Sequence, residues 1–252
     1  MTGAKPEGLT ISRSADVDEG PAAGRLDRPS VLIMARAPRR GEVLRALEPV
    51  LGVEGCIALQ STLIAQTIQW AQAIAPGAVH VAHDPPDAGR DLRLLIGATA
   101  ALFPQNGDGI AGRLADAAAR VFARNSGPLL IVWPDLPRLR PEHAAGALDD
   151  LSAGCDVVLG PAIEGGLYLI GLRRPLPRLF ALPEQVWRSP DVMAIGVAAV
   201  RDADLQIGIL RAERALHRPA DVRAALVDPL LPDAVRRVLR WREHPRADPA
   251  IR

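Results

Sequence analysis

The pattern that most constrains this chain is an apolar strand that stops at a carboxylate. Residues Leu129–Leu139 read LLIVWPDLPRL, and the run up to Trp133 has the composition of a strand buried on both faces, as in a parallel sheet. It breaks at Pro134 and leaves Asp135 at its C-terminal end, the edge where open α/β sheets collect ligands. About twenty residues further on, Asp156–Leu172 reads DVVLGPAIEGGLYLIGL. A strand-like run there leads into Glu164-Gly165-Gly166, where backbone without side chains can approach a bound molecule closely, and then into a second apolar run. Together the two stretches suggest a nucleotide or nucleotide-sugar site.

The same alternation extends along the chain. Strands are predicted at Ser30–Arg36, Ala78–Asp84, Leu129–Trp133, Asp156–Leu159, Leu167–Leu172 and Leu205–Leu210, with a short one closing Leu94–Phe103. Helical spacing appears over Gly55–Ile74, Ile110–Arg124, Pro141–Leu151, Ser189–Val200, Pro219–Ala225 and Pro232–Trp241, with Ser189 and Pro190 read as cap and first turn. Strands alternating with helices predict a three-layer α/β fold, a mainly parallel mixed sheet flanked by helices. One domain is expected over residues 30–242. Residues 1–29, mixing Gly, Asp, Glu, Ser and Pro, read as a disordered arm, and residues 243–252 as a flexible tail.

Composition excludes several classes. Thirty basic and 29 acidic residues leave a formal charge of +1, which argues against a nucleic-acid partner. Lys5 is the only lysine; the arginines that remain suit planar, bidentate contact with phosphate. Two cysteines, Cys56 and Cys155, lie far apart and offer neither a disulfide framework nor zinc-ligand spacing. No uninterrupted apolar run reaches the roughly 18 residues of a membrane span, so no span is expected. A polar N-terminus lacks the apolar stretch of a signal peptide, and a cytoplasmic location is expected.

Four segments then carry a family resemblance, in order: Ala35–Leu47 (ARAPRRGEVLRAL), Pro104–Leu114 (PQNGDGIAGRL), the WPDLPRL turn, and Gly160–Leu172 (GPAIEGGLYLIGL). They resemble the bacterial selenodomain-associated transferase family, which implies the glycosyltransferase-A, or nucleotide-diphospho-sugar transferase, fold. More distant relatives include phospholactate guanylyltransferases and molybdenum-cofactor nucleotidyltransferases. By this resemblance Ala35, Arg36, Gly41 and Arg45 lie on the nucleotide's phosphates, and Gln105, Gly107 and Arg113 near its base. Leu44 and Ala46 stand where a Lys and an Arg are usual, and Arg45 is the nearest substitute. The loop before Ile110 also opens a helix, whose free N–H groups attract anions.

The resemblance further makes Asp135 a catalytic residue and ligand of a divalent ion, Mg²⁺ or Mn²⁺, bridging the phosphates. Trp133-Pro134 replaces its usual small pair. Glu164 is expected to orient or deprotonate an acceptor hydroxyl, with Gly165, Gly166 and Tyr168 binding that acceptor. Near the C-terminus the family shows R-D-V-D-T-P-E-D where this chain has Arg214–Asp221 (RALHRPAD). Both carboxylates of the D-V-D are gone, and His217, a ligand better suited to Mn²⁺ than Mg²⁺, occupies the second place. The implied activity is transfer of a group from a nucleotide-activated small molecule to an acceptor hydroxyl. Nucleotidyl transfer to a phosphorylated acceptor is the alternative within enzymes, and a non-catalytic relative with a degraded metal site is the alternative outside them.

Overall fold

A computed structural model describes residues 28–187 and 189–240. The arm expected over residues 1–29, apart from its last two, and the tail at 243–252 lie outside them. In chain order the elements are β1 (Ser30–Arg36), α1 (Glu48–Ile74), β2 (Val79–Asp84), α2 (Gly89–Ile96), β3 (Ala101–Pro104), α3 (Gly109–Phe122), β4 (Leu129–Val132), α4 (Pro141–Ser152), β5 (Val157–Pro161), β6 (Leu167–Leu172), α5 (Glu184–Trp187), α6 (Val192–Asp202), β7 (Ile207–Ile209), α7 (Pro219–Val227) and α8 (Asp233–Leu239). The strands form one seven-stranded sheet in the order β3-β2-β1-β4-β6-β5-β7. β6 alone runs antiparallel to its neighbours β4 and β5, so the α/β mixed sheet is as expected.

Strand alternation divides the core. Val31, Ile33 and Ala35 face one side, where α1, α2 and α4 bury Ile64, Ile68, Leu92 and Leu151. Leu32 and Met34 face the other, against Leu114, Ala117 and Val121 of α3. A third cluster joins the start of α1 to α7 and α8 through Leu51, Leu59, Leu63, Val222 and Val235. Among the described residues, Arg45–Ile74 is the one helical stretch long and apolar enough to cross a membrane. Its role here is that of a core helix, since Leu59, Leu63 and Ile64 are fully buried against the sheet and the C-terminal helices.

Several boundaries depart from the sequence pattern. Helix α1 begins seven residues before Gly55, because Pro49 in its first turn starts it and Gly52, at φ 69, kinks it and lets it resume. Helix α2 begins five residues before Leu94–Phe103, where the pattern reads a short helical or irregular piece ahead of the strand, and α5, a single turn, has no periodicity to announce it. The N-cap position of α6 falls on Asp191 with no side-chain cap. Ser189 Oγ instead donates to Val186 O and accepts from Asp191 N, closing the preceding turn.

Candidate functional site

Parallel strands bring Arg36, Asp84, Gln105 and Asp135 to one edge of the sheet, each just at or beyond the C-terminal end of β1, β2, β3 and β4. The β5–β6 hairpin returns Glu164, Gly165 and Gly166 to that edge because β6 is antiparallel to β4. Both glycines have φ near +90° (95° and 90°), a conformation that strains any side chain. A Cβ on Gly165 would also lie 2.9 Å from Pro190 Cα. Residues Ala215–His217 close the group from the far side of the hairpin.

At the centre three side chains meet. His217 Nε2 lies 3.4 Å from Asp135 Oδ2 and 3.6 Å from Glu164 Oε1. Backbone bonds hold all three residues together: Ala215 N donates to Glu164 Oε1 at 3.2 Å, and Leu216 N to Asp135 O at 2.9 Å. His217 N and Arg218 N both donate to Asp221 Oδ2, whose other oxygen accepts from Arg214 at 3.0 Å. Asp135 Oδ1 and Glu164 Oε2 are buried and have no donor among the described residues. Burial pushes the Glu164 carboxyl above its ordinary range. The hydrogen-bonding contact with Asp135 and then its charge, aided by the charges of Glu164 and Asp221, hold the His217 imidazole above its usual value, outweighing burial.

Asp135 and His217 line a cavity of about 200 Å³ with Gly165 and Gly166, walled by Ile110, Trp133, Leu167 and Trp187. Asp135 thus borders a space shared with the hairpin glycines. A second cavity of about 210 Å³ contains Arg36, Asp84, Gln105 and Arg113. Ile110 and Trp133 line both cavities, so the indole in the place of a small residue stands between them. In the second cavity Asp84 Oδ2 accepts from Arg36 Nε and Nη2 at 3.0 and 2.8 Å, while Arg113 Nη1 lies 3.5 Å from Oδ1. Arg36, expected at the phosphates, and Arg113, expected near the base, converge on this carboxylate, which the sequence pattern does not single out.

Other expected contacts fall elsewhere. Ala35 is fully buried within β1 and offers no surface to a nucleotide. Gly41 and Arg45 are exposed on the following loop and line neither cavity. Gln105 is turned inward, its Nε2 donating to Ala82 O at 2.9 Å, although it borders the second cavity. Gly107 serves packing, since a Cβ there would come within 2.6 Å of the Gly112 carbonyl carbon. Tyr168 is corrected outright: its side chain faces the core, 1% exposed, with its hydroxyl donating to Arg211 O, because its place on β6 alternates away from the cavity. Burial pushes that phenol up to about 12.

The start of α3 was expected to receive an anion, and it does so from within the chain. Ile110 N donates to Glu184 Oε2 at 2.7 Å, a carboxylate at a helix N-terminus. Glu184 had no signal in the sequence beyond an acidic residue in a first turn, and Asp221 only its place at the end of the Arg214–Asp221 stretch.

A divalent ion of the kind the resemblance implies needs oxygen donors at about 2.1 Å, usually one or two carboxylates with phosphate and water. Here the imidazole of His217 stands against both carboxylates, and among the described residues no three His, Cys, Asp or Glu side chains are disposed to hold a metal ion. The donor set does not fit such an ion.

A family model described as an uncharacterized protein conserved in bacteria, DUF2064, matches residues 67–183. No curated protein matches the chain. Among solved structures, a provisionally assigned nucleotide-diphospho-sugar transferase from Desulfovibrio desulfuricans G20 is similar at 24% identity and TM-score 0.76, over 85% of this chain and 95% of that one. A CMP:2-keto-3-deoxy-manno-octonic acid synthetase complexed with CTP is similar at 14% identity and TM-score 0.49, over 79% of this chain and 96% of that one. The first likeness establishes the nucleotide-diphospho-sugar transferase fold, and the second adds nothing to it.

Proposed function

From this fold we propose a transferase that binds a nucleotide-activated donor across the two cavities and passes its group to an acceptor hydroxyl. The observation that carries the reading is the pair of buried carboxylate oxygens, Asp135 Oδ1 and Glu164 Oε2, left without donors beside a cavity at the ligand-collecting edge of the sheet. An unpaired buried acceptor costs about 1–3 kcal/mol, a cost that a ligand's hydroxyl groups would remove. The indole wall at Trp187 suits the apolar face of a sugar ring. Glu164, raised by burial, is suited to take a hydroxyl proton at neutral pH. Arg36 and Arg113 face the phosphates, exchanging Asp84 for them.

A panel of nucleotide sugars tests this by thermal stabilisation, followed by release of the nucleoside diphosphate. A competent site gains about 2.7 kcal/mol at a hundred times Kd, and Asp135→Ala loses it. Stabilisation indifferent to that change removes Asp135 from the site. A non-catalytic binding protein is the competing reading, favoured by one observation: the groups expected to meet the nucleotide are already partnered, Arg36 and Arg113 by Asp84 and the first turn of α3 by Glu184. Binding without turnover identifies that case.

A further inference from the structure

We propose that Glu184 is a positioning residue for the aromatic wall of the Asp135 cavity: its carboxylate, bonded to the start of α3, holds the single turn of α5 and with it the indole of Trp187 against the ligand space. The inference rests on the transferase reading above, because that wall is where the reading seats a sugar ring. Burial does little to anchor α5, since none of its four residues is buried.

The anchor is built from both sides. Ile110 N, in the first turn of α3, donates to Glu184 Oε2 at 2.7 Å, where the positive end of that helix favours a carboxylate. Gly109 beside it has φ 65°, and a Cβ there would collide with the same carboxylate, so the close approach requires glycine. Glu184 and Trp187 stand three residues apart on one helical turn and therefore share a face. Ile110 and Trp187 both wall the cavity that contains Asp135, so the bond ties one wall to another. Phe180 stacks on the indole with 6.3 Å between ring centroids. The indole Nε1 is buried without an acceptor among the described residues. That donor, costly to leave unpaired, suits an oxygen of the ligand.

UDP-glucose and GDP-mannose are the probes, with UDP and GDP as their sugarless controls, titrated calorimetrically into the full chain. Glu184→Ala is expected to weaken the nucleotide sugar by about tenfold, or ~1.4 kcal/mol, and to leave the nucleoside diphosphate unchanged. Glu184→Gln keeps an acceptor oxygen for Ile110 N and should bind the nucleotide sugar as the wild type does. Trp187→Ala should lose as much as Glu184→Ala, and the double variant no more than either, because the two residues act through one contact. Acrylamide quenching, taken as the difference from Trp187→Phe, should show the indole more open to solvent in Glu184→Ala and not in Glu184→Gln. The inference is overturned if Glu184→Ala weakens sugar-bearing and sugarless ligands alike, if it weakens neither, if the two losses add, or if quenching is unchanged. A loss in Trp187→Ala alone is the second of these cases and leaves the transferase reading standing. If neither sugar-bearing probe binds, the indole has no sugar ring to seat and the inference falls, whereas the transferase reading falls only if the whole panel fails.

Discussion

Trp133 stands where two cavities would otherwise join, with its indole lining each of them. Replacing it by Ser should merge the space around Asp135 with that around Arg36 and Arg113. Affinity for nucleotide sugars is expected to rise by about tenfold, or ~1.4 kcal/mol, measurable by calorimetric titration. Stability should fall by less than the ~3–5 kcal/mol of a fully buried tryptophan truncation, since Trp133 is only half-buried. Unchanged affinity would mean that the indole does not bar the ligand. Residues such as Asp135 and Glu164 were legible because strand ends and Gly-Gly turns leave marks in the sequence. Ala35 and Tyr168 were misread for a reason of geometry: a motif match gives position along a strand, whereas the face is set by register against neighbours 40 or more residues away, as in the pairing of Ala35 with His83. Asp84 was missed because its significance lies wholly in two arginines brought to it from β1 and α3.

Helix α7 does more than fill the third core cluster. Asp221 in its first turn accepts from His217 N and Arg218 N, so one carboxylate both caps the helix and fixes the loop that presents the imidazole. Burial works against that charge, but the Arg214 bond and the two N–H donors outweigh it and hold the carboxyl below the usual range. Asp221→Ala should cost about 1–2 kcal/mol, as removal of a helix cap does; urea unfolding measures it. It should also weaken nucleotide-sugar binding without touching the ligand, and binding at wild-type strength would separate the cap from the site. Gly107→Ala belongs to the same scale. At φ 107 and 2.6 Å from the Gly112 carbonyl carbon, an added methyl forces the loop off α3, and a loss of about 1–3 kcal/mol is expected in the same measurement. Long periodic helices were legible at this scale. The α5 turn and the kinked start of α1 were not, because four residues show no period and a glycine kink interrupts one.

The whole molecule adds these local charges into a pH dependence with a definite sign. A group held above its ordinary value binds its proton more tightly when folded, so its contribution is complete below its unfolded value and is lost as pH rises through its folded value. His217, raised chiefly by Asp135, is such a group, with an ordinary value of about 6.5. Glu164, raised by burial, behaves the same way from about 4.5 upward. His80 and His143 act oppositely: burial lowers both, the latter despite its bond to Glu213, so their contribution is complete above about 6.5 and is lost as pH falls through their folded values. Asp221, lowered, likewise loses its contribution in acid. Among these groups His217 loses its contribution on the alkaline side of about pH 6.5, whereas His80, His143 and Asp221 lose theirs as pH falls. Urea unfolding from about pH 6 to about pH 8.5 should therefore show wild-type stability declining relative to His217→Asn, with the two curves converging at the alkaline end. Parallel curves would show that the imidazole gains nothing from the two carboxylates beside it.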